Sequence, residues 1–277
     1  MTLLTWIVLF TLLGGVLSVL AAASFLLVPE SLRTRLLPAM VSFAIGALLG
    51  AAFLAVLPHA LSAPGVGDPH VITGVVLLGL LGFFLLEKMV LWRHCHTHEC
   101  EVHGGTGVAR GRTTGVAEAH APGAAHGQAS AAGTLILVGD AVHNFVDGVL
   151  IAAAFLVDTH LGVVTALAVA AHEIPQEVGD FAILLHSGFS RTRALVYNVL
   201  SSLTTVVGGV LTYYSLSSLQ SLTPYVLAVA ASSFIYIAVD DLIPGLHKRL
   251  EPRATLEQVL LIGAGVLVIH FAHATLH

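Results

Sequence analysis

Two stretches of the chain carry metal-ligating side chain types inside otherwise apolar surroundings. GDAVHNFVDGVL carries Asp140, His143, Asn144 and Asp147, and AHEIPQEVGD carries His172, Glu173, Gln176, Glu177 and Asp180. On helices turning about 100° per residue, the first set falls within an arc of about 100° and the second within about 140°. Each stretch therefore reads as a helix with one polar stripe. The economical arrangement turns the two stripes together, so that each shields the other. The shared face then holds two imidazoles, carboxamide groups and several carboxylates, with no Lys or Arg among them. Burying so many unpaired carboxylates is prohibitive unless a cation fills the gap or the acids are protonated. Mixed imidazole and carboxylate ligation suits zinc, iron or manganese better than magnesium or calcium, which prefer oxygen shells. A hydrogen-bonded seam gluing helices together is the competing explanation. One or two polar residues would favour that seam; nine on two facing stripes favour a metal. Pro175 removes the amide that would bond Ala171, which predicts a kinked helix and a freed carbonyl beside the ligands.

The elements that must position these stripes are membrane-spanning helices. Of 277 residues, 56% are hydrophobic and only 10% are charged, with mean hydropathy +0.92. Soluble domains carry about 25% charged residues. Eight apolar segments follow, near 3–28, 38–62, 71–92, 134–157, 161–185, 194–216, 222–246 and 256–276. The first reads as a retained helix rather than a cleaved signal. The 11 Lys and Arg residues fall in or beside the connections 1–2, 3–4, 5–6 and 7–8. The excess of positive charge on cytoplasmic loops puts those connections inside and both termini outside. The expected fold is thus an all-α membrane protein of eight helices, one membrane domain built from residues 1–92 and 134–277 around a loop at 93–133. That loop holds His94, His96, His98, His103, His120 and His126 with Cys95 and Cys100, is expected to be disordered, and has a composition suited to borderline metals such as zinc. No basic footprint for nucleic acid is present.

At this point the motifs are recognisable. HNFVDG (residues 143–148) and HEIPQEVGD (residues 172–180) resemble the paired signatures of the ZIP metal-ion transporters, in the branch reading HNFxDG and HEIPHExGD. The eight-span count, the external termini and the His-rich loop are similar to that family as well. The resemblance implies two three-helix repeats around helices 4 and 5, a homodimer, and no enzymatic activity or organic cofactor. It implies zinc as the carried substrate, with Fe2+, Mn2+ and Cd2+ as alternatives, moved into the cytoplasm through a binuclear midplane site. The first site would use His143, Asp147, His172 and Glu177; the second would use Asn144, Glu173 and Glu177. Gln176 stands where relatives carry His, and Ala51 and Ala55 stand where relatives carry polar residues on span two. Asp140, Asp180, His59, Asp241 and Asn198 are further pathway candidates. A multi-pass protein of a bacterial inner membrane is the expected setting, with membrane lipid around it.

Two other functions compete. A zinc hydrolase would use His172 and Glu173, but a zinc-protease helix needs His at the fourth position on, where Gln176 stands. A metal sensor or buffer would act through the His-rich loop.

Overall fold

The computed structural model describes residues 2–95, 122–247 and 251–276, so most of the His-rich loop lies outside the described residues. The described residues contain helices and turns and no strand. Span one is α1 (Leu3–Gly14) and α2 (Val16–Phe25), broken only at Gly15. Span two is α3 (Glu30–Gly50), a π-helical turn (Ala51–Val56) and α4 (Leu57–Ser62). Spans three to six are α5 (Pro69–Cys95), α6 (Pro122–Val157), α7 (Thr159–His186) and α8 (Arg191–Leu216). Span seven runs from a 3-10 turn (Gln220–Leu222) through α9 (Thr223–Tyr236) and a π turn (Ile237–Leu242) into α10 (Ile243–Leu246). α11 (Pro252–Leu276) is span eight.

Among the described residues, seven of these eight expected spans are long and apolar enough to cross a membrane. The remaining one is α7, 28 residues long, whose apolar character is diluted by the His172–Asp180 stripe. Two expected boundaries move. α6 begins at Pro122 rather than near 134, because the Ala-rich, uncharged run before Thr134 favours helix without being hydrophobic. α3 begins at Glu30 rather than Pro38, with an acidic residue in its first turn, where the helix dipole favours negative charge.

Proline acts differently along the chain. Both π turns end one residue short of a proline, Pro58 and Pro244, and the residues before them, Leu57 and Ile243, donate to the carbonyls of Ala52 and Ala238, five residues back. Widening the turn in this way accommodates a ring that can neither donate nor tolerate the usual carbonyl beneath it. α7, by contrast, runs without interruption from Thr159 to His186 with Pro175 inside it.

The helices pack in two groups. α1 and α2 lie with α6, α7 and α8, while α3, α4, α5, α9 and α11 pack among themselves; α3 and α11 meet α7 where the groups join. The tightest seam is α6 on α8. A Cβ on Gly148 would fall on the carbonyl oxygen of Thr205, and one on Gly208 would fall on that of Phe145. Only glycine permits two backbones this close, an arrangement favoured in lipid, where packing rather than water expulsion joins helices.

Candidate metal centre

A single residue, Asp158, separates α6 from α7; it is extended (φ −156°), and its side chain caps α7 by accepting from the Leu161 N–H at 3.4 Å. So short a corner makes the two helices antiparallel neighbours and fixes which residues share a depth. His143 lies 15 residues before Asp158, and His172 and Glu173 lie 14 and 15 after it. At 1.5 Å per residue, each is about 21–23 Å from the corner, near the middle of a hydrocarbon layer about 30 Å thick plus its interface. The two polar stripes therefore face each other at mid-depth.

There the structure gathers His143, Asp147, His172 and Glu173, one ligand atom from each lying within 4.8 Å of the others. His143 Nε2 is 3.3 Å from His172 Nε2, 3.2 Å from Glu173 Oε1 and 3.8 Å from Asp147 Oδ2. His172 Nε2 is 3.3 Å from Asp147 Oδ2 and 3.5 Å from Glu173 Oε1. A regular tetrahedron with zinc bonds of about 2.0–2.1 Å has edges of about 3.3–3.4 Å. Five of the six separations among the four donors, 3.2–3.8 Å, lie near that edge length.

The hydrogen bonding points the same way. His172 Nδ1 donates to the Ala168 carbonyl at 3.2 Å, which leaves Nε2 of the neutral ring with a bare lone pair turned toward two carboxylates. Carboxylate tied to imidazole and imidazole tied to backbone is the usual outer support of a metal-binding histidine. Asp147 and Glu173 are each 1% exposed, and none of their carboxylate oxygens has a hydrogen-bond donor. Lone pairs packed against lone pairs repel, and a cation removes the conflict. His143, with 23% of its side chain exposed, is the open edge of the group.

That edge faces a cavity of about 640 Å³, lined among others by Glu87, Asp140, His143, Gln176, Asp180, Asp240 and Asp241. No Lys or Arg lines it among the described residues. Glu87 accepts a short hydrogen bond from the Tyr236 hydroxyl, joining α5 to α9 across its wall. In the other direction, toward Asp158, the helices are closed by Leu150–Phe155 and by Leu161, Val164 and Val169, all buried. The metal group thus sits between an acidic cavity and an apolar plug.

The remaining expected ligands stand elsewhere. Glu177 is not in the four-membered group, which holds Glu173. It is fully buried with both oxygens unbonded, and Asp140 is its foremost electrostatic neighbour. The hairpin explains this pairing, because Glu177 lies 19 residues after Asp158 and Asp140 lies 18 before it. Asn144 is hydrogen-bonded on both sides: its amide donates to Asp140 Oδ1 at 2.8 Å, and its Oδ1 accepts from the Thr205 hydroxyl at 2.7 Å. Ser201 donates to the other oxygen of Asp140, and Thr204 donates to the Ala141 carbonyl at 2.7 Å. Asn198 is fully buried with neither amide atom bonded. Gln176, Asp180 and Asp241 line the cavity, Ala51 and Ala55 are fully buried, and His59 is remote from the group. The Thr204 and Thr205 hydroxyls of α8 are the contributors that sequence reasoning missed; their spacing of three to four residues from Ser201 and Gly208 was the available signal.

A helical bundle crossing a membrane around a buried imidazole–carboxylate group defines a metal-carrying integral membrane protein. The model of the ZIP zinc transporter family matches residues 2–272, and the chain belongs to that family. It is 33% identical over 290 residues to zinc transporter ZIP13 of Mus musculus, covering 96% of this chain and 80% of that protein. It is 32% identical over 258 residues to zinc transporter ZIP13 of Danio rerio, covering 83% and 74%. With zinc transporter SLC39A7 of Mus musculus it shares 30% identity over 329 residues, covering 94% and 69%. The protein is accordingly a multi-pass divalent-metal transporter with zinc as its substrate, not a hydrolase.

Proposed function

We propose that the protein carries Zn2+ into the cytoplasm, holding it at mid-depth on His143, Asp147, His172 and Glu173. The observation that carries this reading is the set of four donor atoms within 4.8 Å of one another, with both buried carboxylates lacking any hydrogen-bond donor. Direction is supported by charge. The acidic cavity opens at the end of the bundle bearing Lys88, Arg191 and Arg193, which the loop-charge rule assigns to the cytoplasm. An ion leaving His143 meets carboxylates in that direction and an apolar plug in the other. On this reading α7 spans the membrane with the seven apolar helices, and both termini lie outside. Glu177, with Asp140 and Glu173, offers a second stopping place for an ion. Asn144 takes part by orienting Asp140. The exposed apolar faces of α5 and α11, including Leu77, Leu78, Leu81, Leu260 and Leu267, meet lipid, with room for a second copy.

Zinc flux into proteoliposomes, competed against Fe2+, Mn2+ and Cd2+, tests the reading. The expected result is saturable zinc entry that His172→Ala and Glu173→Gln each abolish. Wild-type flux in both variants would reduce the group to structural glue.

A further inference from the structure

A second pair of imidazoles repeats the arrangement of the first, at the far end of the molecule. His59 lies on α4 at the end of span two, and His273 lies near the end of α11. Both helices have their arginines at the opposite end, at Arg33, Arg35 and Arg253. The two rings meet edge to face, with centroids 5.4 Å apart and planes at 74°. The metal-binding pair His143 and His172 has centroids 5.5 Å apart and planes at 85°. The outer support is repeated too: His59 Nδ1 donates to the carbonyl of Ala55, four residues back, at 2.8 Å, as His172 does to Ala168. A carbonyl can only accept, so the proton of the neutral His59 ring is on Nδ1 and the lone pair is on Nε2. His186 has the same backbone tie, to Ala182 at 2.7 Å, but stands exposed at the end of α7 with no second imidazole described beside it. The backbone tie is thus common; the paired ring is what distinguishes His59. Both His59 and His273 are partly exposed, so an ion reaches them without entering the bundle.

We infer that His59 and His273 form a second zinc-binding site, bridging spans two and eight at the end remote from the basic residues. Its ligand class is a borderline divalent cation that favours imidazole, with water completing the shell. It is a binding site, independent of whether the inner group transports.

Residue-resolved modification of the purified full-length protein tests it. Diethyl pyrocarbonate acylates imidazole nitrogen bearing a lone pair, and mass spectrometry reads each histidine separately. Added Zn2+ should lower labelling of His59 and His273 severalfold at one shared half-saturation concentration, while Mg2+ does not. His70 and His186, single exposed imidazoles, should keep their labelling. His59→Gln should abolish protection of His273, and His273→Gln that of His59. The same result in a His172→Ala background separates this site from the inner one. Absence of protection, or protection of His273 that survives His59→Gln, would overturn the inference. The latter would leave only an i, i+3 pair of His270 and His273 on one helix.

Discussion

Replacing Asp147 by Asn should move stability and function in opposite directions. Asp147 is 1% exposed, neither oxygen has a donor, and its Oδ2 faces two imidazole nitrogens at 3.3 and 3.8 Å. An amide of nearly the same shape removes one of the crowded carboxylates and supplies an N–H for those nitrogens. An unpaired buried charge costs several kcal/mol, part of which the neighbouring imidazoles already offset, so a net gain of about 1–2 kcal/mol is reasonable. At roughly 2–4 °C per kcal/mol for a chain of this size, metal-free Asp147→Asn should melt about 2–8 °C above wild type. Zinc reverses the order. At a hundredfold excess over Kd it stabilises the wild type by about 2.7 kcal/mol, or roughly 5–10 °C, and the variant far less. Differential scanning fluorimetry on chelator-treated and zinc-loaded protein reads both quantities, and uptake measured alongside should be lost. A metal-free variant that melts below wild type would show that Asp147 is a structural partner. A full zinc shift in the variant would show that it is not a ligand.

Other substitutions separate binding from scaffolding. His172→Ala should lower zinc uptake at least about tenfold, since losing even an outer partner of a metal ligand costs 10–100-fold, and radioactive zinc flux measures it. Thr205→Val leaves Asn144 Oδ1 without its donor and should cost about 1–3 kcal/mol in thermal stability. The zinc concentration for half-maximal binding should stay unchanged, because Asn144 is outside the four-donor group. Gly208→Ala drives a methyl into the Phe145 carbonyl and should cost about 1–3 kcal/mol, read as a lower melting temperature and poorer yield of monodisperse protein. Deleting residues 94–126 should leave zinc flux in place; its loss would favour a buffering role for the His-rich loop.

Periodicity made the two faces legible, because a helical stripe depends only on residue spacing. His143, Asp147, His172 and Glu173 all lie on those stripes, and the structure brings the four together. Periodicity does not report depth. Glu173 and Glu177 lie on the same stripe, and the resemblance to the family implies Glu177 in the first site; in this structure Glu173 is the one beside His143, and Asp140 is the foremost charged neighbour of Glu177. Asn144, expected among the ligands, has its oxygen on the Thr205 hydroxyl, which the Gly148–Gly208 seam brings beside it. Hydropathy located the spans, yet it was blind to the helical run before Thr134, which is Ala-rich without being apolar enough. It did mark α7, at 161–185, although the ligand stripe keeps that helix out of the seven that are apolar enough to cross a membrane by composition alone.

The π turns before Pro58 and Pro244 set helical phase. Each accommodates one residue more than an α-helical turn, so everything beyond it is rotated by about 100° relative to an unbroken helix. On span two that rotation decides whether His59 points at α11 or away from it. A single-residue deletion within 51–56 would leave hydropathy and span length almost unchanged while swinging the far end of the helix through more than a quarter turn. In this chain, a one-residue gap at that place is a change of direction rather than of length.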